Sequence, residues 1–237
     1  LDQAASGRGA VILTCHMGNP DMCRALIDKK SGVRVNVLVF NDNAANINRV
    51  ISDANPDATI ELLQISEVGP QTGALLGEKI ARGEMVIVAA DRTSPAGGDS
   101  TVTADFLGKL AAFPSGAFVL ASILECPVYL LFCLDEASGH TLYLERFADS
   151  LAAPRRERAA LVARHVQRYA DRLAYYCLKT PYQWFNFFDF WATQPHDAAA
   201  VPAATARRMP VHSLPTDHSQ LSHRSALETQ PQHDSPT

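Results

Sequence analysis

Two side chains near the N-terminus, His16 and Asp21, have the types and spacing needed for general-base chemistry. His16 follows an apolar run typical of a strand, and reactive groups in open α/β sheets collect beyond the carboxyl ends of strands. Asn19 and Pro20 are favoured at the start of a helix, which predicts that Asp21 lies in the first helical turn and is kept ionised by the helix dipole. With a turn at Gly18, Asp21 is expected to hold one imidazole nitrogen while the other accepts protons near neutral pH.

The same spacing also fits a simpler interpretation, in which Asp21 only caps a helix beside His16. Other catalytic arrangements fit less well. Adjacent strand residues point to opposite faces, so Cys15 is not expected to pair with His16 as a nucleophile. The chain has no G-x-S-x-G sequence, and Gly7 and Gly9 precede the first strand instead of following it, as a dinucleotide-binding loop would.

A sheet is needed to position these side chains, and the apolar pattern predicts one. Short runs rich in Val, Ile and Leu alternate with helical patterns, and their continuous apolar character indicates strands buried on both faces. The predicted fold is α/β, with a mostly parallel central sheet flanked by helices. Predicted strands cover 10–14, 33–40, 59–63, 85–89, 128–134 and an edge strand at 141–147, and predicted helices cover 20–30, 44–54, 71–82, 115–124 and 155–178.

One stretch, 117–134, has the length of a membrane span, but Glu125 and Pro127 lie in its middle. A charged group is costly in lipid, and proline interrupts a helix. The stretch is therefore predicted to form a buried helix, a turn and a buried strand.

Composition bounds the domain organisation and the partners. The chain has 237 residues, 47% hydrophobic and 19% charged, which suits one sizeable domain, predicted at 1–192. Because the first residue is Leu1 and not Met, the chain is expected to be a processed form or a fragment. Residues 193–237 are rich in Ala, Pro and Ser and are predicted to be a disordered tail.

The net charge of −4 argues against a nucleic-acid partner. The five cysteines lack a C-x-x-C spacing, so neither a metal site nor a redox motif is predicted.

Several motifs together carry a family resemblance. The H-x-x-x-x-D sequence at 16–21 resembles the first motif of the glycerolipid and lysophospholipid acyltransferase superfamily. The resemblance is closest to the bacterial branch containing the lipid A late acyltransferases, and it continues in order at 90–92 (ADR), 106–109 (FLGK), 113–116 (FPSG) and 182–191 (YQWFNFFDFW). The last run is similar to the aromatic signature of a predicted-acyltransferase subgroup. Asp21 departs from the Glu common in the lipid A branch, and Ser115 stands where the F-P-E-G motif has Glu.

This resemblance implies an acyltransferase that moves a fatty acyl group from an acyl carrier protein or coenzyme A thioester to a hydroxyl or amine of a lipid-like acceptor, without a cofactor. It implies that His16 is the general base, that Asp21 orients it, and that the substrate-binding residues are Asn19, Asp91, Arg92, Lys109 and Ser115. It also implies a membrane surface as partner, at the cytoplasmic side of the bacterial inner membrane, with the protein peripheral or anchored by a segment outside this chain.

Further expectations concern the second half of the site. Asp91 and Arg92 follow the predicted strand 85–89 and should reach the same sheet end as His16. Arg92 is suited to binding a phosphate or stabilising developing negative charge, with an internal ion pair as the alternative. Lys109 is either a second phosphate contact or a solvated surface lysine. The loop 93–105 is predicted to cover the site.

The aromatic run 182–191 fits packing against the core, or contact with a membrane interface. Two other functions stay open. One is a lipid- or acyl-carrier-binding module that is catalytically inactive. The other is a nucleotide-binding α/β protein, for which the chain lacks a phosphate-binding loop.

Overall fold

A computed structural model of the chain describes residues 7–19, 33–39, 48–49, 60–65, 69–93 and 100–191. The described strands are β1 (Ala10–Gly18), β2 (Val35–Val39), β3 (Ile60–Gln64), β4 (Met85–Ala89), β5 (Thr101–Phe106), β6 (Lys109–Pro114), β7 (Val128–Glu136) and β8 (Gly139–Ala148). The described helices are α1 (Pro70–Ala81), α2 (Gly116–Leu124) and α3 (Arg158–Lys179), with a 3-10 turn at Pro181–Gln183.

The central sheet has the order β3-β2-β4-β1-β7-β8. All neighbours are parallel except β7 and β8, which pair antiparallel and put β8 at the edge. The mostly parallel α/β architecture expected from the apolar runs is therefore confirmed, as is the edge strand. Parallel order brings the carboxyl ends of β1, β4 and β7 to one rim of the sheet.

One face of the sheet carries the larger hydrophobic core. Val11, Leu13 and Cys15 of β1 are buried there together with apolar side chains from α1, α2, α3 and the β5–β6 hairpin. A second buried cluster, which includes Ile12 and Ile87, lies on the opposite face. Burial on both faces explains why the strands read as continuous apolar runs in the sequence.

The stretch that resembles a membrane span divides as predicted. Helix α2 ends at Leu124, Glu125 adopts a left-handed conformation with φ of 50°, and strand β7 begins at Val128. Among the residues that the structure describes, no helix is both long and apolar enough to cross a bilayer.

The prediction of a loop at 93–105 is wrong for residues 101–105, which lie in a strand, while residues 94–99 lie outside the described part of the chain. Residues 101–106 form β5 and pair with β6 through a two-residue turn at Leu107 and Gly108, both with positive φ. Such turns match the twist of paired strands. Inward Ala104 and Phe106 alternate with outward Thr103 and Asp105, a two-residue period typical of strands.

Some predictions fall outside the described residues. The predicted helix at 20–30, which contains Asp21, and the tail at 193–237 are in this group. Of the predicted helix at 44–54, only Asn48 and Arg49 are described, and both are helical.

Candidate active site

An irregularity in β1 positions His16 at the rim of the sheet. Thr14 pairs with Leu131 of β7, and Gly18 pairs with Cys133, so four steps along β1 match only two steps along β7. Extra residues in one strand disrupt the ladder and redirect side chains, a device often found beside active sites. Gly18 has a φ of 63°, and a Cβ at this position would overlap the Cys133 carbonyl oxygen. Only glycine fits this path without strain.

The imidazole of His16 is held by a carboxylate from the neighbouring strand. Nδ1 of His16 lies 2.8 Å from Oδ1 of Asp91, and the backbone N–H of His16 donates to Oδ2 of Asp91 at 2.9 Å. The His16 side chain is 38% exposed, whereas Asp91 is 0% exposed. Because a carboxylate accepts hydrogen bonds, this contact favours the neutral tautomer in which Nδ1 carries the hydrogen and Nε2 keeps its lone pair.

The strand register explains this pairing. Thr14 of β1 lies opposite Ala89 of β4, and two further steps along each chain reach His16 and Asp91. The Ala90 N–H donates to the Thr14 carbonyl at 3.0 Å and continues the ladder toward them. The sequence predicted that both residues reach the same sheet end, and the structure confirms it.

The buried side chains near Asp91 include two thiols and a phenol, those of Cys15, Cys177 and Tyr169. Burial and then the nearby Asp91 charge raise the pKa of Cys15 well above its usual value, and the same two causes raise the pKa of Cys177 to about 12. Burial also raises the pKa of Tyr169, whose hydroxyl donates to the Thr14 carbonyl at 2.9 Å. These groups stay neutral at physiological pH, so Cys15 lacks the thiolate that nucleophilic chemistry requires.

Residues 181–191, here called the aromatic segment, cross the same rim. Trp184 forms an antiparallel bridge with Met17, and the Phe185 N–H donates to the His16 carbonyl at 2.8 Å. The Trp184 indole N–H donates to Oδ2 of Asp91 at 3.1 Å. The segment therefore contacts both members of the His16–Asp91 pair, a role that its aromatic composition did not reveal.

Arg92 is anchored beside the pair. Its Nη2 donates to the carbonyl of Phe185. Its Nε is buried and has no hydrogen-bond partner among the described residues, and the side-chain amide of Asn186 is unpartnered in the same way. Buried polar groups without partners are uncommon and call for an explanation such as a bound ligand group or water. The internal ion pair considered for Arg92 does not occur among the described residues.

The other predicted site residues lie in different settings. Asn19 follows β1 directly and is half-buried. Lys109 is exposed at the start of β6, and no described contact joins it to His16. Ser115 is buried, and its hydroxyl donates to the Ser100 carbonyl at 2.8 Å. The structure thus brings His16, Asp91 and Arg92 together, while Asp21 lies outside the described residues.

Two features of this site were not predicted from the sequence. Asp91 was expected to bind substrate, but its buried carboxylate faces His16. Trp184 was assigned only to packing or to a membrane interface. The equal spacing of His16 and Asp91 beyond two apolar strands was a signal for the first feature, but using it requires knowing that β1 and β4 are neighbours.

The pair has the arrangement of a general base, with a carboxylate that orients the imidazole and can stabilise its protonated form. Comparisons with known proteins add nothing to this geometry, because no family model matches the chain and no curated protein matches it.

Proposed function

We propose that the protein is an acyltransferase that moves a fatty acyl group from a thioester to a hydroxyl or amine of a lipid-like acceptor. The observation that best supports this proposal is the 2.8 Å contact between Nδ1 of the partly exposed His16 and the buried Asp91 carboxylate. In this proposal His16 is the general base and Asp91 is the carboxylate that orients it.

The proposed reaction needs no covalent acyl-enzyme. Nε2 of His16 takes the proton of the acceptor as its oxygen or nitrogen attacks the thioester carbonyl carbon. The tetrahedral intermediate collapses, the carbon–sulfur bond breaks, and the thiolate leaves with the proton returned by the imidazolium. Asp91 stabilises the imidazolium between the two proton transfers, as carboxylates do in related dyads and triads.

Arg92 supplies positive charge next to the proposed base. With Nη2 fixed on the Phe185 carbonyl and Nε unpartnered, the guanidinium has remaining donors for an anionic oxygen. We assign it to the oxyanion of the intermediate or to a phosphate of the carrier or acceptor. Ser115 is a weaker candidate for substrate binding because its hydroxyl already bonds to Ser100. Asn19 and Lys109 stay assigned by the family resemblance alone.

The finer fold assignment belongs to the same proposal. A parallel sheet with an H-x-x-x-x-D sequence starting at the carboxyl end of β1 supports a glycerolipid acyltransferase-like fold. The order of the later motifs supports the lipid A late acyltransferase-like branch. From that resemblance we propose an acyl carrier protein or acyl-coenzyme A donor and a lipid acceptor. We also propose peripheral or anchored association with the cytoplasmic side of a bacterial inner membrane.

The test is acyl transfer from labelled acyl carrier protein or coenzyme A thioesters to a bacterial lipid extract. The His16→Ala variant is expected to lose at least ~100-fold in turnover, as general-base removal does. His140→Ala, which removes an exposed histidine of β8, serves as the control and should keep wild-type turnover. Equal activity of His16→Ala and wild type would exclude His16 as the base. Thioester or lipid binding without product would favour the inactive binding module.

A further inference from the structure

The Trp184 indole contacts the Asp91 carboxylate on the oxygen that does not face the imidazole. Nε1 of Trp184 lies 3.1 Å from Oδ2 of Asp91, while Oδ1 accepts from Nδ1 of His16. We propose that Trp184 is a positioning residue, whose N–H fixes the Asp91 carboxylate so that His16 is held as the Nδ1–H tautomer with Nε2 free. Its catalytic consequence rests on the function proposed above.

The buried carboxylate requires this kind of support. A charge removed from water is costly unless hydrogen bonds replace its hydration. Asp91 is fully buried, and the described residues give it three N–H donors, which are Nδ1 and the backbone N of His16 and Nε1 of Trp184. Two donors come from the residue that Asp91 must orient, so Trp184 is the independent one. Without it, the hydrogen bonds that the described residues give to the carboxylate would all come from His16.

The indole is in turn held rigidly. Its ring packs edge-to-face against Phe106 and Phe190, with centroid distances of 5.2 Å and 4.9 Å. Its backbone bridges Met17, and the next residue, Phe185, donates to the His16 carbonyl. Rigid outer contacts that orient a catalytic group are the usual way in which a site is preorganised. These packed rings therefore restrain the Asp91 carboxylate through the N–H group of Trp184.

A purely structural role for the tryptophan is the alternative, and the chain offers a matched control. Trp191 belongs to the same aromatic segment and also packs on Phe106, with 6.0 Å between the two ring centroids. Its indole N–H also donates a hydrogen bond at 3.1 Å, but to the Phe106 carbonyl and not to Asp91. Trp191→Phe therefore removes an equivalent bond and similar packing without changing the donors of Asp91.

The deciding measurement is the tautomer of His16 in the full chain, which requires no substrate. Long-range ¹H–¹⁵N correlation spectra of histidine-labelled protein report which ring nitrogen carries the hydrogen, and His16→Ala identifies the His16 signals. Wild type and Trp191→Phe are expected to show the Nδ1–H form. Trp184→Phe is expected to show a substantial Nε2–H population or exchange broadening. An unchanged tautomer in Trp184→Phe, or the same change in both variants, would overturn the proposal.

Turnover provides the second arm. Trp184→Phe should lower kcat at least ~10-fold, the effect of losing one hydrogen bond to a charged group, with KM changed less than about twofold. If Trp184→Phe does not fold, benzothienylalanine at position 184 keeps the ring size and lacks the N–H. A changed tautomer with no acyl transfer by wild type would reject the proposed reaction but keep the positioning role.

Discussion

His16 and Asp91 are 75 positions apart in the chain, yet Nδ1 of one lies 2.8 Å from Oδ1 of the other. They meet because β1 and β4 are parallel neighbours in register, and each continues two residues past the last paired position. The contact is thus a product of sheet topology, and its geometry depends on the backbone of two central strands.

Replacing Asp91 with Asn should separate orientation from fold. The amide can donate to Nδ1 and so favours the wrong imidazole tautomer, and it no longer stabilises the imidazolium. We expect kcat to fall at least ~100-fold. Asp21→Asn tests the other candidate for the orienting carboxylate, and the present proposal expects its loss of turnover to be smaller than tenfold. A larger loss in Asp21→Asn than in Asp91→Asn would return the orienting role to Asp21.

The sequence was sufficient for the sheet and for the position of His16, because continuous apolar runs reveal buried parallel strands and the residues that follow them. Its spacing predicts Asp21 as the partner, a residue outside the described part of the chain, and it could not indicate Asp91, because spacing along the chain is visible and strand order is not. The Gly and Pro residues near 95–98 favour a loop that extends to 105 and hide the strand at 101–106, in which Ala104 and Phe106 are buried and Asp105 between them is exposed. The donor role of Trp184 was hidden because aromatic residues fit packing almost anywhere.

Gly18 should tolerate no side chain. Gly18→Ala would combine the strain of a φ of 63° with an overlap on the Cys133 carbonyl, at the irregular step that redirects His16. We expect a loss of stability above ~3 kcal/mol, since backbone atoms of two central strands would have to move. Gly108→Ala also has a positive φ but faces open space, so it should lose only about 1 kcal/mol. Urea unfolding measures the free energy of unfolding of both variants. Equal losses would show that the irregular part of β1 can relax around a side chain at position 18.

Glu84 should make the protein sensitive to acid. This glutamate precedes β4 and is buried beside Lys79 and Asn36. Burial acts to raise its pKa, but hydrogen bonds from Asn36 and Arg82 and the charge of Lys79 outweigh it and lower the pKa below the ordinary 4.5. A carboxyl whose pKa is lower in the folded state contributes stability above the unfolded value and loses it as the pH falls through the folded value.

Unfolding free energies measured from neutral pH to below about 4.5 would test this contribution. Glu84→Gln is expected to be less stable than wild type at neutral pH and to lose less stability on acidification. Glu78→Gln, at an exposed position of α1, should follow the wild-type curve. Parallel curves for wild type and Glu84→Gln would show that Glu84 does not contribute to the acid sensitivity.

Gln183 should control how firmly the aromatic segment is attached to the sheet. Its side-chain amide accepts from the Asp135 N–H at 2.8 Å and donates to the Asp135 carbonyl at 2.6 Å. The side chain thus forms the two backbone hydrogen bonds to β7 that a neighbouring strand would form. Gln167 makes the same two bonds to Asp105 of β5, away from His16. Each pair is partly exposed, so we expect a loss of only about 1 kcal/mol from either Gln→Ala substitution.

The two substitutions should differ in where the backbone opens. Gln183→Ala is expected to speed amide hydrogen exchange at Phe185, whose N–H bonds to the His16 carbonyl, and to lower turnover by several fold. Gln167→Ala should speed exchange at Asp105 and leave turnover unchanged. The reason is that local opening exposes the hydrogen bonds of one unit at a time. Unaltered exchange at Phe185 in Gln183→Ala would mean that the other contacts of the segment, such as those of Trp184 and Arg92, hold it beside His16 without Gln183.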